Sequence, residues 1–170
     1  MSLFDQARAL LGEFKGDAYL YGAGVLPQVG EVIASLGARP ALVRDTFPGS
    51  DAFVQTIHDT AAAAGAELIG EVQGAGPNAP REDLFRISDS LKILEPDVVI
   101  SFGGGSTIDA TKAGEVLRTL GGGIDDYFGT GQVTQALADS GKVLTPHVAI
   151  QTASSSGAHL TKYSNITDVS

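Results

Sequence analysis

Asp97-Val-Val-Ile-Ser-Phe-Gly103-Gly104-Gly105-Ser106-Thr-Ile-Asp109-Ala-Thr-Lys112 decides the fold. Its first half is a nearly continuous apolar run, the pattern of a strand buried on both faces. Three glycines follow, and then Ile108, Ala113, Val116, Leu117 and Leu120 recur at helical spacing. A strand turning into a helix is one beat of an alternating chain, and the beat continues on both sides.

Upstream, Leu84, Ile87, Leu91 and Leu94 mark a helix that follows the turn-rich loop Gly74-Ala-Gly-Pro-Asn-Ala-Pro80. Residues 67–72 read as a less hydrophobic strand, nearer an edge of the sheet. Before it, Phe53, Val54, Ile57, Ala61 and Ala64 outline a helix closed by Gly65, and residues 41–43 a further strand. Val29, Val32, Ile33 and Leu36 form a stripe opened by Pro27 and stopped by Gly37. Residues 18–21 read as the first strand. Leu3, Ala7, Leu10, Leu11 and Phe14 give an amphipathic helix at the N-terminus. Downstream, residues 121–141 read as a loose region, 147–151 as a fifth strand and 154–156 as a serine-rich turn before a polar tail. This alternation predicts an α/β domain: a parallel sheet with helices on both faces.

Composition narrows the partners. The 170 residues suit one globular domain, and 20 acidic against 11 basic residues give a formal charge of −9. No basic stripe is visible, which argues against nucleic acid as a partner. The chain has no cysteine. That removes disulfides, thiolate metal sites and a cysteine nucleophile, and fits a reducing cytoplasm. The apolar runs fall short of the roughly 18 residues a membrane-spanning helix needs. Asp5, Arg8 and Glu13 make the N-terminal stretch a surface helix rather than a signal peptide.

In a parallel α/β sheet, ligands bind at the carboxyl ends of the strands. Two glycine turns compete there. Gly22-Ala-Gly24-Val-Leu-Pro27, with Asp45 about 20 residues on, is similar to a dinucleotide fingerprint, although Pro27 stands where a third glycine belongs. A plain turn into a Pro-started helix explains it equally well. In Gly103-Gly104-Gly105-Ser106, bare backbone and the positive end of a helix dipole would cradle a pyrophosphate. There the plainer reading is Ser106 as a helix cap.

Four segments, in order, resemble the N-terminal half of the iron-containing (group III) alcohol dehydrogenase family. They are Gly22-Ala-Gly-Val-Leu, Ala41-Leu-Val-Arg-Asp45, the stretch from Asp97 to Lys112, and Ile150-Gln-Thr152-Ala-Ser-Ser-Ser156-Gly-Ala-His-Leu-Thr161 with Ile166-Thr-Asp168. The resemblance implies a Rossmann-like, dehydroquinate-synthase-like N-terminal domain over residues 1–170 that binds NAD(P). It implies that the triple-glycine turn, through Gly104, Gly105 and Ser106, holds the pyrophosphate. Asp45 then accepts from the adenosine ribose, which favours NAD. The neighbouring Arg44 leaves NADP open. Asn78 falls at the adenosine end, and Thr152, Ser156 and Thr161 line the cofactor. Asp109, the catalytic candidate, falls near the nicotinamide and the substrate.

The resemblance also implies a small alcohol or aldehyde substrate, a homodimer, and Fe2+ or Zn2+ held by one Asp and three His. Those ligands belong to a C-terminal helical domain expected to be absent here, so the chain alone is expected to be incomplete for catalysis. His58, His147 and His159 lack metal-ligand spacing and read as structural. Glycerol-dehydrogenase-like and dehydroquinate-synthase-like relatives share this half, and a non-catalytic nucleotide-binding module is the alternative. A hydrolase built on residues 154–156 with His147 or His159 lacks the Gly-x-Ser-x-Gly elbow. The acidic pairs Glu82-Asp83 and Asp125-Asp126 read as solvated positions.

Overall fold

The computed structural model describes residues 2–154 and 156–168, with Asp17 described by its backbone alone. Strands β1 (Pro40–Arg44), β2 (Gly70–Gln73), β3 (Val98–Gly103) and β4 (His147–Gln151) pair in parallel in the order β2-β1-β3-β4. The helices are α1 (Leu3–Lys15), α2 (Val29–Leu36), α3 (Ser50–Ala63), α4 (Arg81–Leu94), α5 (Gly105–Leu120) and α6 (Gln132–Ser140). The weakly hydrophobic β2 lies at an edge, as its sequence predicts, though it starts at Gly70.

The apolar run at the centre of the sequence becomes β3, every residue of which is buried. Leu42 pairs with Ile100 and Ile100 with Val148, so the apolar rows align across the sheet. Side chains alternate between faces along each strand. Leu42, Val98, Ile100 and Phe102 pack with Val29 and Ile33 of α2 and Val54 and Ile57 of α3. Ala41, Val43 and Val99 pack on the other face with Ile87 and Leu91 of α4 and Ala110 of α5. Each large side chain so buried contributes about 1.5–3 kcal/mol. Helices cover both faces.

Two expectations are corrected. Residues 18–21 form no strand. A 3-10 turn spans Gly16–Ala18, and Tyr19 is extended without a ladder partner, its ring stacked on Tyr21 and His159 instead. So short an extended segment, outside the sheet, has no neighbouring backbone to pair with. The region 121–141 is not loose either. It holds a 3-10 turn over Ile124–Tyr127 and then α6, bracketed by Gly131 and Gly141 in left-handed conformations. α6 buries no residue, and its apolar stripe is a single short group, Val133, Ala136 and Leu137, too brief to be read as a helix.

Among the described residues, no helix is long and apolar enough to cross a membrane.

Candidate functional site

The site grows from the end of β3. Gly104 precedes α5, and helix geometry leaves the amides of Gly105, Ser106 and Thr107 without intrahelical acceptors. The three glycines serve different ends. A Cβ on Gly103 would stand 2.5 Å from Asp45 Oδ2, and one on Gly105 would strike Ser156 Oγ. Gly104 differs, because a Cβ there would meet only Asp45 Oδ2, at 3.9 Å. Its φ of −74° is open to any residue. At Gly105 the clash is with the end of an exposed serine side chain that can rotate away, so protein packing explains Gly103 alone. It does not explain Gly104, whose missing side chain leaves room for a ligand to reach the backbone.

Two clefts flank this turn. One, of about 330 Å³, is lined by Arg44, Asp45, Thr46, Phe47, Gln73 and the Gly74–Gly76 backbone. The second, of about 230 Å³, is lined by Asn78, Gly105, Ser106, Asp109, Ser156, Asn165 and Thr167. Five of the residues singled out by sequence thus converge on one cleft: Asn78, Gly105, Ser106, Asp109 and Ser156.

Asp45 lines the first cleft and ties it to the glycine turn. Its Oδ2 accepts from the Gly104 amide at 2.8 Å, and its Oδ1 accepts from the Thr107 hydroxyl. Thr107 is fully buried and accepts in turn from the Ala75 amide at 2.8 Å. Sequence reasoning passed over Thr107; its position one residue after Ser106, in the first turn of the helix, was the available signal. Asp83 is also more than a solvated acid: it accepts from the Gly76 amide at 2.7 Å and pairs with Arg86 at 2.8 Å. Burial works to raise its carboxyl, while the Gly76 amide and Arg86 hold it below the usual range.

Asn78 donates its amide to Ser106 Oγ at 3.0 Å, leaving that hydroxyl proton available to a ligand. Asn78 and Ala79 have φ of 65° and 49°. Holding a buried alanine in that left-handed region costs about 1 kcal/mol, a strain stored beside the cleft. The isolated bridge from Pro80 to Thr167 and the pairing of Arg81 with Asp125 (2.7 Å) and Asp168 (3.5 Å) fix the far end of the loop, as the Ala75 amide on Thr107 fixes its start.

Asp109 is only 4% exposed, and no hydrogen-bond donor reaches its Oδ1. Lys112 Nζ stands 3.0 Å away, but it donates to the carbonyls of Ala158 (2.9 Å), Thr161 (3.3 Å) and Tyr163. With its protons spent on carbonyls, the ammonium offers Asp109 charge without a hydrogen bond. Lys112 thereby ties the segment after Ser156 to α5 and sets Ser156 against Gly105. Thr161 gives its carbonyl to Lys112 and its side chain does not line the cleft. Thr152 is exposed, its amide extending the sheet to Gly103 at 3.0 Å, and it lines neither cleft.

The histidines go elsewhere. His58 meets Glu71 at 2.9 Å. His147 Nε2 meets Ser101 Oγ at 2.8 Å, and burial, with help from Lys112, pushes its pKa down to about 4. His159 contacts Gln151 and Tyr19, and burial lowers its pKa as well. Neither His147 nor His159 has a partner among Ser154 and Ser156, as a hydrolase would need, and Ser155 lies outside the described residues. Among the described residues, no group of three or more His, Asp or Glu stands close enough to hold a metal ion. The metal of the resembled family does not fit these residues.

A parallel sheet whose central strand turns through bare glycines into a helix, with a cleft on either side, defines a Rossmann-like α/β domain. The family model for iron-containing alcohol dehydrogenase matches residues 17–170. The chain belongs to that family. It is 30% identical over 152 residues to the NAD-dependent methanol dehydrogenase of Bacillus methanolicus, covering 89% of this chain and 38% of that one. It is 28% identical over 152 residues to sulfoacetaldehyde reductase from Bilophila wadsworthia, covering 88% and 37%. Among solved structures, an alcohol dehydrogenase from an archaeal halo-thermophile of a Red Sea brine pool superposes with a TM-score of 0.71 at 23% identity, covering 88% of this chain and 38% of that one. A 1,3-propanediol oxidoreductase gives 0.69 at 25% identity, covering 81% and 34%. The chain therefore spans a little over a third of the length of the curated relatives it matches.

Proposed function

We propose that this chain is the nucleotide-binding part of an alcohol dehydrogenase that interconverts a small alcohol and its aldehyde or ketone, with NAD as cofactor and NADP as the alternative. The amides of Gly105 and Ser106 and the Ser106 hydroxyl take the pyrophosphate, which the bare Gly104 lets approach. Asp45 faces the adenosine ribose, and Asn78 the adenosine end. Ser156, Thr152 and Thr161 belong to the loop that closes over the cofactor, Ser156 in contact and the two threonines as backbone supports. Asp109 lies on the nicotinamide side, where its Oδ1, ion-paired with Lys112 but without a hydrogen bond, can accept from substrate or cofactor. Bound there, nicotinamide supplies a hydride acceptor for the alcohol carbon. The Fe2+ or Zn2+ would be held by residues other than those described, since no group of three or more His, Asp or Glu among these stands close enough to hold it. A cysteine-free, acidic chain suits a cytoplasmic enzyme, and a homodimer is the proposed assembly.

The carrying observation is Gly104: an ordinary backbone conformation, no packing need for glycine, and free helix amides beside it. Calorimetric titration with NADH of the protein and of Gly104→Ala tests this reading. The variant should bind at least about tenfold more weakly, while its melting temperature stays within about 2 °C of the parent. Unchanged NADH affinity in Gly104→Ala would remove the cradle.

A further inference from the structure

Arg44 and Asp45 are neighbours in sequence but not in space. Alternation along β1 sends Arg44 to the face of Leu42, against α3, and Asp45 to the face of Val43, against α5. The Arg44 side chain is only 14% exposed. Its Nη2 donates to Asp51 Oδ1 and lies 3.4 Å from Ser50 Oγ, and its Nη1 donates to Glu71 Oε2 at 3.2 Å. Glu71 is itself braced by His58 at 2.9 Å. Arg44 and Asp45 both line the larger cleft, so this guanidinium is the cation placed to meet a phosphate on the adenosine ribose. Asp51 and Glu71 neutralise it and hold its planar fork on the other side of the strand.

We infer that Asp51 and Glu71 act as a clamp on Arg44 that sets the choice of dinucleotide, making the cleft beside Asp45 accept an unphosphorylated ribose and reject a 2′-phosphate. This rests on the dinucleotide reading above. The physical case is one of charge and geometry. Asp51 and Glu71 bracket the guanidinium and Asp45 lines the same cleft, so a doubly charged phosphate entering it meets net negative charge. Arginine binds phosphate through a bidentate fork, and a fork already engaged by carboxylates has none to offer. A 2′-hydroxyl needs only an acceptor, which Asp45 retains because a carboxylate has more lone pairs than its two present donors use.

The experiment measures affinities for NADH and NADPH by calorimetry in the protein, Asp51→Asn, Asp51→Asn with Glu71→Gln, and that pair with Arg44→Ala added. The protein should bind NADH at least about tenfold more tightly than NADPH. The double variant should shift the ratio about tenfold toward NADPH, and adding Arg44→Ala should cancel that shift. The Asp51 side chain is 87% exposed, so Asp51→Asn alone keeps the test open if the double variant fails to fold, with a smaller shift in the same direction. A ratio that does not move in either clamp variant, or that moves as far without Arg44, overturns the clamp while leaving dinucleotide binding intact. Absence of binding to both NADH and NADPH overturns the dinucleotide reading, and the clamp with it.

Discussion

Asp45 spends both carboxylate oxygens on the turn it faces, one on the Gly104 amide and one on the Thr107 hydroxyl. It anchors the start of α5 before any ligand arrives, so its charge is positioned by the protein rather than by the cofactor. His147 illustrates a different residue-scale effect. A histidine whose folded pKa lies near 4, against about 6.5 unfolded, disfavours its cation in the folded state. The stability this contributes is complete above pH 6.5 and is lost as pH falls toward 4, amounting to about 2 kcal/mol by pH 5. Chemical denaturation at pH 7.5 and pH 5 should show that loss, and His147→Gln should shrink it by more than half. An equal loss in the variant would place the titration elsewhere. Glu115 acts lower on the scale. Burial works to raise its carboxyl, but Arg118, the Thr145 amide and Thr119 hold it below 4.5. Its contribution disappears only as pH drops below that value.

At the scale of elements, the order of strands and helices was legible because each buried element carries its own period. β3 read as a strand through its unbroken apolar run, and α4 as a helix through Leu84, Ile87 and Leu91, all fully buried. Both misread segments lie outside the core. The segment 18–21 has strand-like residues without a pairing edge, and α6 has helical backbone without a buried stripe. α1 reads correctly as an amphipathic helix, and a capping box of Ser2 with Asp5 starts it, with bonds of 2.9 and 3.1 Å. Yet it buries no residue, leaving Leu3 at 84% and Phe4 at 71% exposed. Removing residues 2–15 should therefore shift the melting temperature by less than about 2 °C. A larger fall would mean that α1 packs on the domain in solution.

At the scale of the whole molecule, the site is a product of strand order. β1 and β3 are neighbours in the sheet, which brings Asp45 onto the amide of Gly104, 59 residues along the chain. The sequence names both residues through the family resemblance but cannot show the contact, because pairing order is a tertiary fact. The same holds for Lys112, whose three carbonyl partners lie in residues 158–163 and whose role no local pattern announces. Thr152 and Thr161 show the converse: the family resemblance implies them, with Ser156, as a cofactor-lining set, whereas of the three only Ser156 lines the cleft. A formal charge of −9 adds a global requirement to the proposed function, that a dinucleotide anion would have to be held by local amides against a repulsive background.

Amide resonances of the 15N-labelled protein, followed while NADH is added, test most directly whether the pyrophosphate rests on the β3–α5 turn. The signals of Gly104, Gly105 and Ser106 should shift first and furthest, saturating together. Saturable binding that leaves those three unmoved, with the shifts centred on Gly22 and Gly24 or elsewhere, would contradict it.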